Sequence, residues 1–205
     1  MERRELLKMI AVLTGASMVG GDIFLSGCKT AANGPQGLLT ASDIALLNDV
    51  ADTIIPVTDT PGAKAAKVGE FMQAFVSDCY TKNQQKAFTD GLLTLKDSCQ
   101  KQFGKDFSKL TAEERNNVLT TLETEAKGSN LQVLEKEKIA REQAQKNMIE
   151  FIGAPSHYYT MIKQLTLMGY FTSEIGMTKA LKLLPVPGKY DGAYPYKKGD
   201  KAWSI

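Results

Sequence analysis

One histidine, one tryptophan and three cysteines in 205 residues leave little material for cofactor or metal chemistry. A structural zinc site needs four ligands of the Cys and His type, and His157 stands alone with cysteines scattered at 28, 79 and 99. The G-x-S-x-G elbow, the P-loop, the G-x-G-x-x-G fingerprint and the C-x-x-C-H haem motif are all missing. Neither sign of charge dominates: 25 Lys and Arg against 23 Asp and Glu give a net charge of +2. No basic stripe is available to neutralise phosphates, which argues against nucleic acid as a partner. Period-two alternation and βαβ patterns are lacking too, which speaks against a sheet-based fold. A long uninterrupted apolar run is the last absence. The stretch from Met9 to Leu25 is broken by Gly15, Gly20, Gly21 and Asp22, so it reads poorly as a membrane-spanning helix.

What is present at the N-terminus is ordered. Arg3-Arg4-x-Leu6-Leu7-Lys8 opens the weakly apolar stretch, and Leu25-Ser26-Gly27-Cys28 closes it. The first arrangement resembles a twin-arginine export signal, which serves proteins exported in the folded state. The second resembles a bacterial lipobox, whose small residues admit a peptidase and whose thiol accepts lipid. Residues 1–27 are therefore expected to be a signal peptide, and 28–39 a lipidated Cys28 with a small, polar, Gly/Pro-containing tether. Residues 40–205 are expected to form a single domain. One acyl chain holds a protein only marginally, at about 0.8 kcal/mol per buried methylene, whereas lipoproteins carry several. The expected location is the cell envelope, lipid-anchored and facing the periplasm. Lys29, rather than Asp, after the cysteine favours the outer membrane over the inner. The signal contains three basic and three acidic residues, so the mature charge stays at +2.

Beyond the tether the pattern is helical. Thr40 as N-cap with Asp43 begins a helix carrying Ile44, Leu47, Val50, Ala51 and Ile54, which Pro56 stops. A second is expected over 65–80 and a third over 84–103, with Gly104 as its C-cap. Thr111-Ala-Glu-Glu114 is a capping box for a fourth helix, interrupted at 127–130. A polar fifth segment covers 131–151, its charges read as a solvated face with Glu137/Arg141 and Glu142/Lys146 at i,i+4 spacing. A sixth helix runs from Pro155 to Met168, and a short helical turn falls near 173–184. The expected fold is mainly α, a compact bundle of five to seven helices with an extended Pro/Gly/aromatic C-terminal tail. On adjacent antiparallel helices Cys79 and Cys99 would lie roughly 20 Å apart along the axis, too far for a disulfide, and both read as buried thiols.

Catalytic, cofactor-binding and metal residues are assigned to none of these elements. His157 at the start of an aromatic helix reads as structural. The carboxylate pairs Glu113-Glu114 and Asp49/Asp52 read as helix-surface or cap groups, explained by solvation. No nucleophile, base and oxyanion site assemble from such an inventory, so the chain is not expected to be catalytic alone. The C-terminal end is richer. Six of the seven tyrosines and Trp203 follow residue 157. Aromatics on a proline-stiffened strip suit either wrapping the chain's own helices or docking a partner. The candidate partner interface is Tyr170, Phe171, Tyr190, Tyr194, Tyr196 and Trp203.

Two segments carry a likeness: Ala51-Asp52-Thr53-Ile54-Ile55-Pro56-x-Thr58-Asp59-Thr60-Pro61-Gly62-Ala63 and Leu165-Thr166-Leu167-Met168-Gly169-Tyr170-Phe171-Thr172-Ser173-Glu174-Ile175-Gly176. With Val186-Pro187-Gly188-Lys189-Tyr190-Asp191-Gly192 and Lys201-Ala202-Trp203, they resemble the gluconate 2-dehydrogenase subunit 3 family, the small subunits of membrane-bound flavin-dependent dehydrogenases. One departure is Ala193, where many relatives carry cysteine, so this chain offers no thiol at that position. The resemblance implies a non-catalytic companion of a large glucose-methanol-choline-type flavoprotein that oxidises a sugar or polyol. FAD is then expected in the partner and not in this chain, and in such complexes a cytochrome c subunit often accepts the electrons. The small subunit is expected to escort the folded large subunit through twin-arginine export and to anchor it. The alternative is a stand-alone envelope lipoprotein that binds a ligand or protein through its aromatic tail.

Overall fold

The computed structural model describes residues 38–186, 188 and 192–204. Arg3, Arg4, Cys28 and Tyr190 lie outside the described residues. The described chain is mainly helical, as its periodicity implies. Its helices are α1 (Ala41–Ile54), α2 (Val68–Cys79), α3 (Lys82–Phe103), α4 (Ala112–Lys146) and α5 (Tyr158–Phe171). A 3₁₀ turn at Phe107–Lys109 and a π turn at Gly176–Ala180 supplement them. None of the described helices is long and apolar enough to cross a membrane.

Local chemistry sets the helix starts. Thr40 accepts the Asp43 N–H while Asp43 accepts that of Thr40, and Thr111 and Glu114 do the same for α4. A third capping box, Thr81 with Gln84, starts α3 earlier than its hydrophobic pattern implies. Gly104 closes α3 in the left-handed conformation, as expected, donating its N–H to the Gln100 carbonyl.

α5 packs against all four other helices. This explains a sequence that is apolar nearly all round, with Tyr159, Ile162, Leu165 and Tyr170 buried. Facing them are Leu47 and Val50 of α1, Met72 and Val76 of α2, Phe88 and Leu95 of α3, and Leu119 and Leu122 of α4. The helix ends of α2 are completed from its neighbours. Buried Asn48 on α1 accepts the Gly69 N–H at 2.8 Å and donates to Glu70 at 3.0 Å. At the other end, buried Gln85 on α3 donates to the Val76 and Ser77 carbonyls, each at 3.0 Å. These are the orphan groups of a helix whose own N-cap, Lys67, offers no side-chain bond.

Four expectations need correction. α4 is continuous through 127–130 and ends at Lys146, not Phe151. Gly128 costs about 1 kcal/mol in a helix. Against that, Lys127 pairs with Glu123 at 3.3 Å, and Asn130 donates to Thr160 and accepts the His157 N–H. α5 starts at Tyr158, capped by His157, rather than at Pro155, and runs to Phe171 rather than Met168. Cys79 is exposed and only Cys99 is buried, since Cys79 lies on the last turn of α2 beyond its core-facing residues; both are free thiols. The tail also contributes a two-residue parallel pairing, β1 (Lys182–Leu183) with β2 (Trp203–Ser204), too short to leave an alternation in the sequence.

Candidate functional site

The two segments singled out by sequence meet in space. Tyr170, on the last turn of α5 and 1% exposed, sends its phenol O–H to the Pro61 carbonyl at 2.7 Å. The loop it holds is fixed from within: Ala63 N–H reaches the Ile55 carbonyl at 3.0 Å, and Thr58 N–H reaches that of Thr60 at 3.0 Å. Thr58 also donates its hydroxyl to Asp59 and accepts the Thr60 N–H. At Gly62 a β-carbon would run into the Asp52 carboxylate and come within 2.9 Å of Val57 N, so the turn closes only without a side chain.

Asp49 and Asp52 are part of this assembly, contrary to their reading as solvated surface groups. Asp49 is buried and pairs with the Lys64 ammonium at 2.7 Å. Asp52 accepts the Lys64 backbone N–H at 3.2 Å. One turn of α1 thus grips both ends of the Lys64 residue, and this clamps the far side of the loop that Tyr170 holds. Beyond α5, Ser173 donates to the Tyr170 carbonyl at 2.6 Å and accepts the Gly176 N–H at 3.0 Å. A β-carbon at Gly176 would press on that same carbonyl, with Phe171 Cα at 3.0 Å. The chain therefore turns sharply off α5 toward the C-terminal tail.

The tail folds back on its own chain. Lys182 donates to the Tyr194 hydroxyl at 3.1 Å, and its ammonium lies 4.4 Å from the centre of the Trp203 ring and 5.4 Å from that of Tyr194. The two rings meet edge-on at 5.6 Å. Lys182 N–H bonds to the Ala202 carbonyl at 2.9 Å, and the Lys201 ammonium donates to the Lys179 carbonyl. Cation–π contacts of this kind contribute about 0.5–1 kcal/mol at exposed sites. Tyr194 and Trp203 keep about half their surface open even so, and Tyr196 is exposed.

The candidate interface therefore separates into parts. Tyr170 belongs to the core rather than to the surface. Phe171, more than a third exposed, packs edge-on against it at 5.2 Å. Tyr194 and Trp203 form the Lys182 clasp, and Tyr196 stands open beside them in sequence. Asn48 and Lys64 were missed, and the Asp49/Asp52 pair was noticed but read as solvated; the spacing of these residues on α1 does not reveal the partners they meet.

His157 is a cap. Its Nδ1 accepts the Tyr159 N–H at 3.3 Å, and its ring lies 4.5 Å from that of Tyr158. Burial holds the imidazole below its ordinary pKa against an opposing pull from Glu125, which suits a neutral acceptor. Burial also pushes the phenols of Tyr158 and Tyr159 up to about 12, reinforced by nearby acidic groups. Between α4 and α5 lies an open groove of about 290 Å³, lined by Glu123, Lys127, Asn130, Thr160, Lys163 and Leu167. Hydrogen bonding from Lys163, at 2.8 Å, keeps the Glu123 carboxyl below its usual range although burial opposes it. The lining supplies no nucleophile–base pair. Among the described residues no group of three or more His, Cys, Asp and Glu gathers as metal ligands would.

Residues 41–188 match the family model described as gluconate 2-dehydrogenase subunit 3. The match begins in the first turn of α1, spans both motif segments and stops before the Tyr194–Trp203 clasp. No curated protein and no solved structure shows significant similarity to the chain.

Proposed function

The chain belongs to the gluconate 2-dehydrogenase subunit 3 family, and from that premise we propose that it is the non-catalytic small subunit of a membrane-associated flavoprotein dehydrogenase. The partner is a large subunit of the glucose-methanol-choline type that carries FAD and oxidises a sugar or polyol. FAD supplies the hydride chemistry there. This chain contributes delivery and attachment: Arg3 and Arg4 direct folded export, and Cys28 takes the lipid that holds the complex at the periplasmic face.

The observation that carries this reading is the coincidence of the family match with the N-terminal signal. A family named for a subunit covers 41–188, behind Arg3-Arg4 and Leu25-Ser26-Gly27-Cys28. Folded export matters to a partner that must load its flavin before crossing a membrane. A helical domain stapled by ordinary side-chain bonds has no such need of its own. Co-expressing the two subunits with Arg3→Lys/Arg4→Lys tests this. The expected result is that flavin-linked dehydrogenase activity stays in the cytoplasm, while Cys28→Ser lets it reach the periplasm in soluble form. Normal export of the large subunit in the double-lysine variant would sink the proposal.

A stand-alone binding lipoprotein is the second reading, favoured by the open faces of Tyr194, Tyr196 and Trp203. It requires normal export and folding without any large subunit, and loss of binding when those three residues become Ala.

A further inference from the structure

The distal half of α4 buries no side chain in the core. The helix's buried residues are Val118, Leu119, Leu122 and Ala126, and none follows. From Lys127 to Lys146 the helix continues for roughly 30 Å at 1.5 Å per residue. One face is backed by the returning segment 147–157: Glu137 accepts the Ala154 N–H at 2.6 Å, and the Arg141 guanidinium sits 5.0 Å from the centre of the Phe151 ring. Val133, Glu137 and Ala144 are half-buried on that face. The remaining circumference is open, yet it is not uniformly polar. Leu131, Leu134 and Ile139 on the helix, with Met148, Ile149 and Ile152 on the return, are each more than half exposed, Met148 by 97%. A helix with this little tertiary support is marginal in water, and exposed aliphatics on both sides of such an arm mark it as an element for a partner to cover.

We propose that this arm, residues 131–152, is the element the large dehydrogenase subunit grips, so that the inference rests on the reading given under Proposed function. Three observations select a concave protein groove as the occupant. At 100° per residue, Leu131, Leu134 and Ile139 spread over about 140° of the helix, wider than the seam one partner helix covers. Their spacing of three and then five residues breaks the heptad alternation, so a second copy of this arm has no continuous seam to pair with. Residues 131–150 contain four acidic and four basic side chains, interleaved. That balance gives an anionic lipid surface nothing to attract and matches a protein rim of mixed charge. The six aliphatic side chains, three on the open side of the helix and three on the return that backs the other side, together expose on the order of 700 Å², so only a groove that closes on both sides of the arm covers an area close to the ~800 Å² each partner gives to a standard interface.

The arm is separate from the C-terminal clasp, and the two are tested apart. The full-length chain is co-expressed with the large flavin-binding subunit of the same organism, and the complex is compared for wild type, Leu131→Gln/Leu134→Gln/Ile139→Gln and Tyr194→Ala/Trp203→Ala. Glutamine keeps helix propensity, so circular dichroism and the melting temperature of the triple variant should match wild type. The expected result is at least tenfold weaker association for the triple variant. In the wild-type complex, the amides of 131–146 should gain at least tenfold protection from hydrogen exchange. Equal association by wild type and triple variant, with no added protection, overturns the arm as an interface and leaves the subunit reading standing. Failure of the wild type to associate removes the subunit reading and this inference with it. Flotation with phosphatidylethanolamine/phosphatidylglycerol vesicles that the triple variant loses, in a Cys28→Ser background, would assign the arm to lipid. A dimer that sediments as monomer in the triple variant would assign it to a second copy. Either result overturns the proposal.

Discussion

Replacing Tyr170 by Phe removes one oxygen atom and tests whether the two motif segments depend on each other. The ring stays in its buried site, so the packing contribution is retained. What is lost is the 2.7 Å bond to the Pro61 carbonyl. A hydrogen bond contributes about 0.5–1.5 kcal/mol net, and a buried acceptor left unpaired costs about 1–3 kcal/mol. The Pro61 loop lies near the surface, where water can partly replace the donor, so about 1–2 kcal/mol is expected. For a domain of this size each kcal/mol moves the melting temperature by about 2–4 °C, which predicts a fall of about 2–8 °C. Thermal unfolding followed at 222 nm measures it, with the exposed Tyr196→Phe as a control that should not move. Hydrogen exchange adds a local readout: the Ala63 amide, bonded to the Ile55 carbonyl, should lose protection in Tyr170→Phe before the α3 core does. An unchanged melting temperature together with unchanged Ala63 exchange would refute the idea that Tyr170 holds the loop.

Asn48→Ala strips the Gly69 N–H of its buried acceptor, and about 2 kcal/mol of destabilisation is expected in urea unfolding, with m unchanged. His157 provides a pH test. Its folded-state pKa lies below the ordinary 6.5, so the unfolded chain takes up the proton first. The stability it contributes is full above about pH 6.5 and is lost as pH falls through the lower folded value. The melting temperature should therefore be flat from pH 8 to 7 and decline below 6.5, and His157→Asn, which caps without titrating, should lessen that decline. Thiol titration of a Cys28→Ser chain should find Cys79 reactive in the native state. Cys99 should react only on unfolding, because burial and the Asp106 charge push its thiol up and leave little thiolate.

The legible parts of this chain were those set by nearest neighbours. The Thr40/Asp43 and Thr111/Glu114 boxes and the Gly104 terminus each involve residues within three or four positions, and the structure forms all of them. The Gly128-Ser-Asn130 stretch misled for the complementary reason. Its helix-breaking tendency is local, but it is outweighed by Asn130 reaching thirty residues ahead to Thr160. Asn48, Asp49 and Asp52 were invisible as a site because their partners Gly69 and Lys64 come from the next segment of chain. Tyr170 was read as an interface anchor on the strength of its neighbours, yet a phenol ring 1% exposed that bonds a carbonyl 109 residues away is a core residue. The aromatic tail was recognisable as a feature. Lys182 as the cation that gathers Tyr194 and Trp203 was not, since nothing in its sequence surroundings distinguishes it from other surface lysines.

Purification from native membranes under conditions that preserve complexes tests the central claim most directly. A tag on the C-terminus of this chain, with mass and absorbance recorded on whatever elutes, is sufficient. The account predicts a larger chain in fixed ratio with this one, a flavin band at about 450 nm carried by that larger chain, and sugar- or polyol-dependent dye reduction. Recovery of this chain alone, folded, lipidated and without flavin absorbance, would contradict it.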